Sequence, residues 1–184
     1  MAENILDIGK SSGSLKEELA SIFELVEFSK GDHLFRQGEV CRHLFYIKAG
    51  IVRVYYYSNN GKEITSWFSD ENTLVTAIDS FYNLKPTRHN CEALENLAVY
   101  KIKYSELVAI LNNEKGAQIT FYIMYEVARK MVDLIESVKF QSADERYKSL
   151  IEKYPAILNR VSLGQIASYL GITQETLSRL RGKI

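Results

Sequence analysis

The sequence predicts an α+β chain in three parts: a β-rich amino-terminal body, one long helix and a small helical carboxy-terminal domain. Three observations carry this. Between residues 26 and 104, short runs rich in β-branched and aromatic residues alternate with turn signals. From residue 114 to 138, apolar residues recur at helical spacing with no proline. From residue 161 onward, VSLGQIASYLGITQETLSRLRGKI carries the offsets of a helix-turn-helix.

In chain order, a short helix is predicted from Ser14, which can cap it, with Leu15, Leu19, Ile22 and Phe23 at helical spacing. Strand-like runs follow at residues 43–47, 51–57, 63–68 and 98–102. Turn signals separate them, at Gly31-Asp32, Gly38-Glu39, Ala49-Gly50 and Asn60-Gly61. The Asn60-Gly61 pair between Val54-Tyr55-Tyr56-Tyr57 and Ile64-Thr65-Ser66-Trp67 is a hairpin signal, because both turn residues tolerate positive φ. Short strands at this spacing make a compact β barrel, sandwich or roll. Ser105 can cap a short helix through Leu111.

The long helix carries two apolar stripes. Ala117, Thr120, Met124, Val127, Met131, Leu134 and Val138 form one; Phe121, Tyr125, Ala128, Val132 and Ile135 form the other. One stripe would suffice to dock the helix on the β body. Two predict that it docks and also pairs with the helix of a second copy, so a homodimer is expected, with Thr120, Met124, Val127, Met131, Leu134 and Val138 as the seam.

In the carboxy-terminal segment Ala167 is the small residue where two helices nearly touch, and Gly171 is the turn. Ile166, Leu170, Ile172, Leu177 and Leu180 occupy the apolar positions, and Thr173 can cap the second helix. The polar positions left over are Gln174, Glu175, Thr176, Ser178, Arg179 and Arg181. Their chemistry suits base edges: arginine for guanine, glutamine for adenine, glutamate for the cytosine amino group. Lys183, Arg160 and Ser168 are candidate phosphate contacts, which position a reading helix without reading sequence.

Composition bounds the function. The 184 residues are 46% hydrophobic and 25% charged, with 23 basic and 23 acidic side chains, so overall charge advertises neither a nucleic acid nor a membrane. The charge is uneven, however: residues 139–184 hold eight basic and four acidic side chains, +4 against −4 in the remainder. Two cysteines, Cys41 and Cys91, exclude a disulfide scaffold and a four-thiolate cluster. They are read as structural thiols rather than a redox pair. No apolar run is long enough to span a membrane, and the opening MAENILDIGKSSG lacks the pattern of a signal peptide, so a soluble cytoplasmic protein is expected. His33, His43 and His89 lack the His-x-His spacing of a metal-binding cupin, and no nucleophile–base pair, P-loop or zinc spacing occurs, so an enzyme is not expected. No cofactor or metal is expected.

The stretches GDHLFRQGE, LFYIKAGIVRVYYYSNNGKEI and IASYLGITQETLSRL, with the long helix between the last two, resemble the Crp/Fnr family of bacterial transcription regulators along nearly the whole chain. The resemblance implies a cyclic-nucleotide-binding-like β roll of the double-stranded jelly-roll type over residues 1–113, and a dimerisation helix over 114–138. It implies a helix-turn-helix DNA-binding domain over 139–184. It further implies a homodimer on an imperfect palindrome in double-stranded DNA, RNA polymerase as a partner, and an unknown small-molecule effector in the roll. Gln174, Glu175 and Arg179 match the positions that touch base pairs.

The departures are specific. Members that bind cyclic AMP carry Gly-Glu-Leu and, further on, Arg-Ser or Arg-Thr, where the glutamate takes the ribose hydroxyl and the arginine the cyclic phosphate. Here Thr76-Ala77-Ile78 and Thr87-Arg88 stand at those places, so the carboxylate is gone and the arginine is displaced by one residue. On a strand one residue turns a side chain to the opposite face, so cyclic AMP binding is not expected. Oxygen-sensing members hold an iron–sulfur cluster on amino-terminal cysteines, and none precedes Cys41. Many members continue past the second helix into a β-hairpin wing, which this sequence, ending at Ile184, is read as lacking. The competing reading is a small-molecule-binding β-roll module whose helical tail serves assembly; the polar face around Arg179 argues against it.

Overall fold

The strands pair into two four-stranded antiparallel sheets, ordered as in a jelly roll. The computed structural model describes residues 23–111 and 114–182. The first sheet is made of β1 (Glu24–Phe28), β8 (Leu97–Lys103), β3 (His43–Ala49) and β6 (Leu74–Val75). The second is made of β2 (His33–Phe35), β7 (Asn90–Ala93), β4 (Val52–Tyr57) and β5 (Glu63–Ser69). The expected roll is therefore present. The helix predicted from Ser14 falls outside the described residues, as do Lys183 and Ile184, so the expectation of a missing wing is not addressed.

Alternation explains the sheet contacts. Along β4, Val52 and Val54 face inward opposite Ala93 and Cys91 of β7, while Arg53 stands opposite Glu92 on the other face. The space between the sheets is filled by apolar side chains, among them Phe35, Phe45, Ile47, Val52, Val54, Val75, Cys91 and Val99. Arg53 is buried, and its charge is met by Glu63 Oε2 at 2.7 Å, by Thr65 Oγ1 at 2.9 Å and by the face of the Tyr55 ring. The predicted β4–β5 hairpin is present, but it turns through a loop over residues 58–62 in which Gly61 and not Asn60 takes positive φ, and it has a register irregularity between Val54 and Tyr55. The tyrosine run keeps its alternation, with the Tyr55 and Tyr57 rings 5.7 Å apart on one face and Tyr56 against His89 on the other; Tyr55 is buried, whereas Tyr56 and Tyr57 are exposed.

A one-and-a-half-turn helix α1 (Ile78–Asn83) follows β6, and α2 (Tyr104–Leu111) follows β8. The long helix α3 (Glu114–Phe140) runs for 27 residues, about 40 Å at 1.5 Å per residue. Its docking differs from expectation. Phe121, Tyr125, Val132 and Ile135 of the second stripe are exposed, as are Met131, Leu134 and Val138 of the first, while Met124 and Val127 are half-buried. The helix meets its own chain chiefly at α2, so neither stripe is covered by the β roll along residues 131–138.

The carboxy-terminal helices are α4 (Ala143–Lys153), α5 (Ile157–Arg160), α6 (Leu163–Leu170) and α7 (Gln174–Arg181). Capping boxes open α4, through Ser142 and Glu145, and α6, through Ser162 and Gln165. Their core is not separate from the roll. Tyr147, Leu150, Tyr154, Ile157, Ile166, Leu170, Leu177 and Leu180 form one buried cluster with Ile51, Phe68 and Leu94 of the roll.

Candidate nucleic-acid interface

The two helices α6 and α7 are joined as the sequence predicts. Gly171 ends α6 in the left-handed region at φ 68°, and its N–H bonds back to the α6 carbonyls. Ala167 is buried at the helix contact, and Thr173 Oγ1 accepts the Thr176 N–H at 3.2 Å to cap α7. Leu177 and Leu180 anchor α7 from below. Arg146, which the sequence reading did not single out, donates to Leu170 O at 3.1 Å and to Gln141 O at 2.7 Å, tying the end of α6 to the start of the domain.

The opposite face of α7 is open. Gln174, Glu175, Ser178, Arg179 and Arg181 are exposed, Thr173 is exposed at the cap, and Thr176 is half-buried. Arg179 donates to Thr176 Oγ1 at 3.3 Å, which holds the guanidinium against the outer face of its own helix. Its own backbone N–H and the Thr173 hydroxyl hold the Glu175 carboxyl below its usual range, so it is an anion ready to accept from an amino group. The Gln174 side chain lies over Gly164, where a Cβ would come within 2.6 Å of its amide nitrogen. These side chains thus share one exposed surface at the start and outer side of a single helix.

Two of the proposed phosphate contacts are engaged elsewhere. Ser168 Oγ accepts the Thr65 N–H at 3.0 Å and donates to Glu63 O at 3.2 Å, pinning α6 to the edge strand β5. Arg160 donates to Glu71 of the β5–β6 turn, at 3.0 and 2.7 Å, and to Glu95 of the β7–β8 turn. Both are domain contacts in this structure. No local pattern announces this, since the partners lie between 65 and 105 residues away in the chain. The capping boxes, by contrast, are legible as Ser-x-x-Glu and Ser-x-x-Gln.

At the candidate effector cassette, Thr76, Ala77 and Ile78 lie where β6 passes into α1. Thr76 Oγ1 donates to His43 O at 3.0 Å, Ala77 is buried and Ile78 is exposed. Thr87 is buried, its hydroxyl accepting the His89 N–H at 3.1 Å, while the neighbouring Arg88 is exposed. The cassette thus carries no carboxylate at Thr76–Ile78, and its buried position belongs to a threonine. The histidines are dispersed: His33 meets Tyr55 OH at 3.2 Å, His43 packs on Phe45, and His89 packs between Tyr56 and Trp67. Cys41 and Cys91 are buried free thiols.

Residues 25–114 match the family described as the cyclic nucleotide-binding domain. Along its length the chain is similar to the transcriptional activator protein anr of Pseudomonas aeruginosa, 24% identical over 182 residues, covering 89% of this chain and 73% of that protein. It is also similar to the fumarate and nitrate reduction regulatory protein of Vibrio cholerae, 25% identical over 187 residues, covering 91% of this chain and 73% of that one. In fold it superposes on FixK2 from Bradyrhizobium japonicum with a TM-score of 0.75 at 19% identity, covering 88% of this chain and 84% of that one. These relatives are named as regulators, not enzymes, and among the described residues no helix is long and apolar enough to cross a membrane. Residues 25–114 thus carry a cyclic nucleotide-binding domain, and over nearly its whole length the chain is similar to bacterial transcription regulators.

Proposed function

We propose that the protein is a homodimeric, sequence-specific DNA-binding transcription regulator in which α7 enters the major groove. One observation carries the reading: Gln174, Glu175, Ser178, Arg179 and Arg181 form an exposed polar face on a helix whose other side is anchored by Leu177 and Leu180. That side-chain set matches the donors and acceptors of base edges. The exposed apolar length of α3 supports pairing with a second copy through Thr120, Met124, Val127, Met131, Leu134 and Val138, which sets two reading helices about one helical turn, roughly 34 Å, apart. Lys183 is assigned to the DNA backbone. RNA polymerase and an effector in the roll are the further partners this reading implies.

Selection of bound duplexes from a random DNA pool is expected to return a palindrome, and its affinity to fall steeply with salt. A purified dimer that enriches no sequence, with or without cell extract, would overturn the reading. Arg179→Ala is expected to cost about 1–3 kcal/mol on the selected site and to relax preference at a single base pair. Uniform weakening on every sequence would make Arg179 a phosphate contact instead.

We further propose that the roll does not take cyclic AMP. Thr76-Ala77-Ile78 offers no carboxylate to accept from a ribose hydroxyl, and Arg88 lies outside while Thr87 occupies the buried position. A ligand that binds the folded state at 100 times its Kd raises stability by about 2.7 kcal/mol. Millimolar cyclic AMP is therefore expected to leave the melting temperature unmoved, and a clear rise refutes the assignment.

A further inference from the structure

We infer that Arg160 is a positioning residue for DNA reading: by forking between Glu71 and Glu95 it sets the angle at which the helix-turn-helix sits on the end of the β roll. The inference rests on the DNA-reading function proposed above, and it deepens that reading by naming what orients the helix. Three turns converge at this end of the roll. Glu71 lies in the β5–β6 turn, Glu95 in the β7–β8 turn, and Gly50 in the β3–β4 turn. Glu71 Oε1 also accepts the Gly50 N–H at 2.8 Å, and Gly50, at φ +104°, brings that turn so close to Asn96 that a Cβ would lie 2.9 Å from its carbonyl oxygen. Burial alone would raise the Glu71 carboxyl, but the Arg160 and Gly50 hydrogen bonds outweigh it and hold it at about 2, so it is an anion throughout the physiological range.

The rest of the domain contact does not define an angle as sharply. Among the described residues it includes the shared apolar cluster, the Phe68–Tyr169 ring contact, and the bonds of Tyr154 to Phe68 O and of Ser168 to β5. Apolar contact is non-directional, and the Tyr154 and Ser168 hydrogen bonds all go to the one strand β5. A planar guanidinium with donors directed at two carboxylates on separate turns is satisfied in only one orientation. Arg160 retains 21% side-chain exposure and each carboxylate 36%, so the pairs add little to overall stability and their effect falls on geometry. The latched arrangement leaves the α7 face open, and it removes the entropy a freely swivelling domain would lose on engaging both half-sites. Glu71 also precedes β6 and Thr76-Ala77-Ile78, so a displacement of the cassette moves one arm of the latch.

The test uses the full chain, with Arg160→Gln, Arg160→Lys and the double variant Glu71→Gln, Glu95→Gln. Glutamine at 71 keeps an oxygen for the Gly50 N–H, so the turn survives the loss of charge. Spin labels at Lys85→Cys and Glu152→Cys, both exposed, report the distance between roll and carboxy-terminal domain in dimers diluted with unlabelled protein. The native cysteines are buried and stay unlabelled. Wild type is expected to give one narrow distance, and all three variants a broad distribution at a nearly unchanged melting temperature. Arg160→Lys is expected to fail with the others, because a point charge cannot fork. On DNA, the variants are expected to lose about tenfold in affinity for the preferred half-site spacing, with binding to a single half-site unchanged. A distance in the variants as narrow as in wild type, with the same spacing preference, overturns the inference. If the labels spread in the variants while wild type binds no duplex at all, the regulator reading falls and the positioning of the domain by Arg160 stands.

Discussion

Met131→Lys is expected to leave the protein monomeric and to lower its affinity for a palindromic site by about 100-fold or more, the avidity lost when two linked half-site contacts become one. Met131 is 55% exposed, on a stripe continued by Leu134 at 47% and Val138 at 65%. Apolar exposure of this extent on one helix meets no cover among the described residues, and it fits the seam of a paired helix. A lysine there places an unpaired ammonium in the seam from both copies at once, which no neighbouring carboxylate on the same stripe relieves. Light scattering gives the oligomeric state directly. A variant that remains dimeric and binds its operator normally removes Met131 from the seam and directs attention to Val132 and Ile135, exposed on the adjacent stripe.

Leu177→Ala is expected to destabilise the whole chain by about 2–5 kcal/mol and to abolish operator binding. Leu177 is fully buried, and it belongs to the cluster that contains Ile166, Ala167 and Leu170 together with Phe68 and Leu94 of the roll. Leu180 is the other buried anchor of α7, so removing one of two pegs frees the polar face of α7 to tilt. For a chain of this size each kcal/mol corresponds to roughly 2–4 °C, so a fall on the order of 10 °C is expected. Because the cluster spans both parts of the chain, thermal unfolding should proceed in one transition. A loss under about 1 kcal/mol, or separate melting of the two parts, contradicts the shared core.

The legible parts of this chain were those in which neighbours in sequence are partners in space. The helix-turn-helix needs only local offsets: Ala167, Gly171 and Thr173 stand within one short segment, and each occupies the role its spacing implies. The Asn60-Gly61 hairpin is legible for the same reason. The long helix was legible as a helix, but its docking was not, because apolar stripes declare that a surface will be covered without naming what covers it. Strand β7, Asn90–Ala93, has little strand propensity of its own and is held between β2 and β4. The short β2 and β6 depend likewise on partners distant in the sequence.

By itself, then, the sequence determined the order of parts and a helix-turn-helix with the polar residues of its second helix, since each follows from residue type at short spacing. Only the tertiary structure decided the rest. It took Arg160 and Ser168, whose chemistry equally suits a phosphate, and gave them to Glu71, Glu95 and the backbone of β5. It merged the core of the carboxy-terminal helices with that of the roll. The physical reason is that a charged or hydroxyl side chain specifies the kind of partner it needs but not its address. The address is set when the sheets close and bring turns some 65 to 89 residues distant within hydrogen-bonding reach of the same guanidinium.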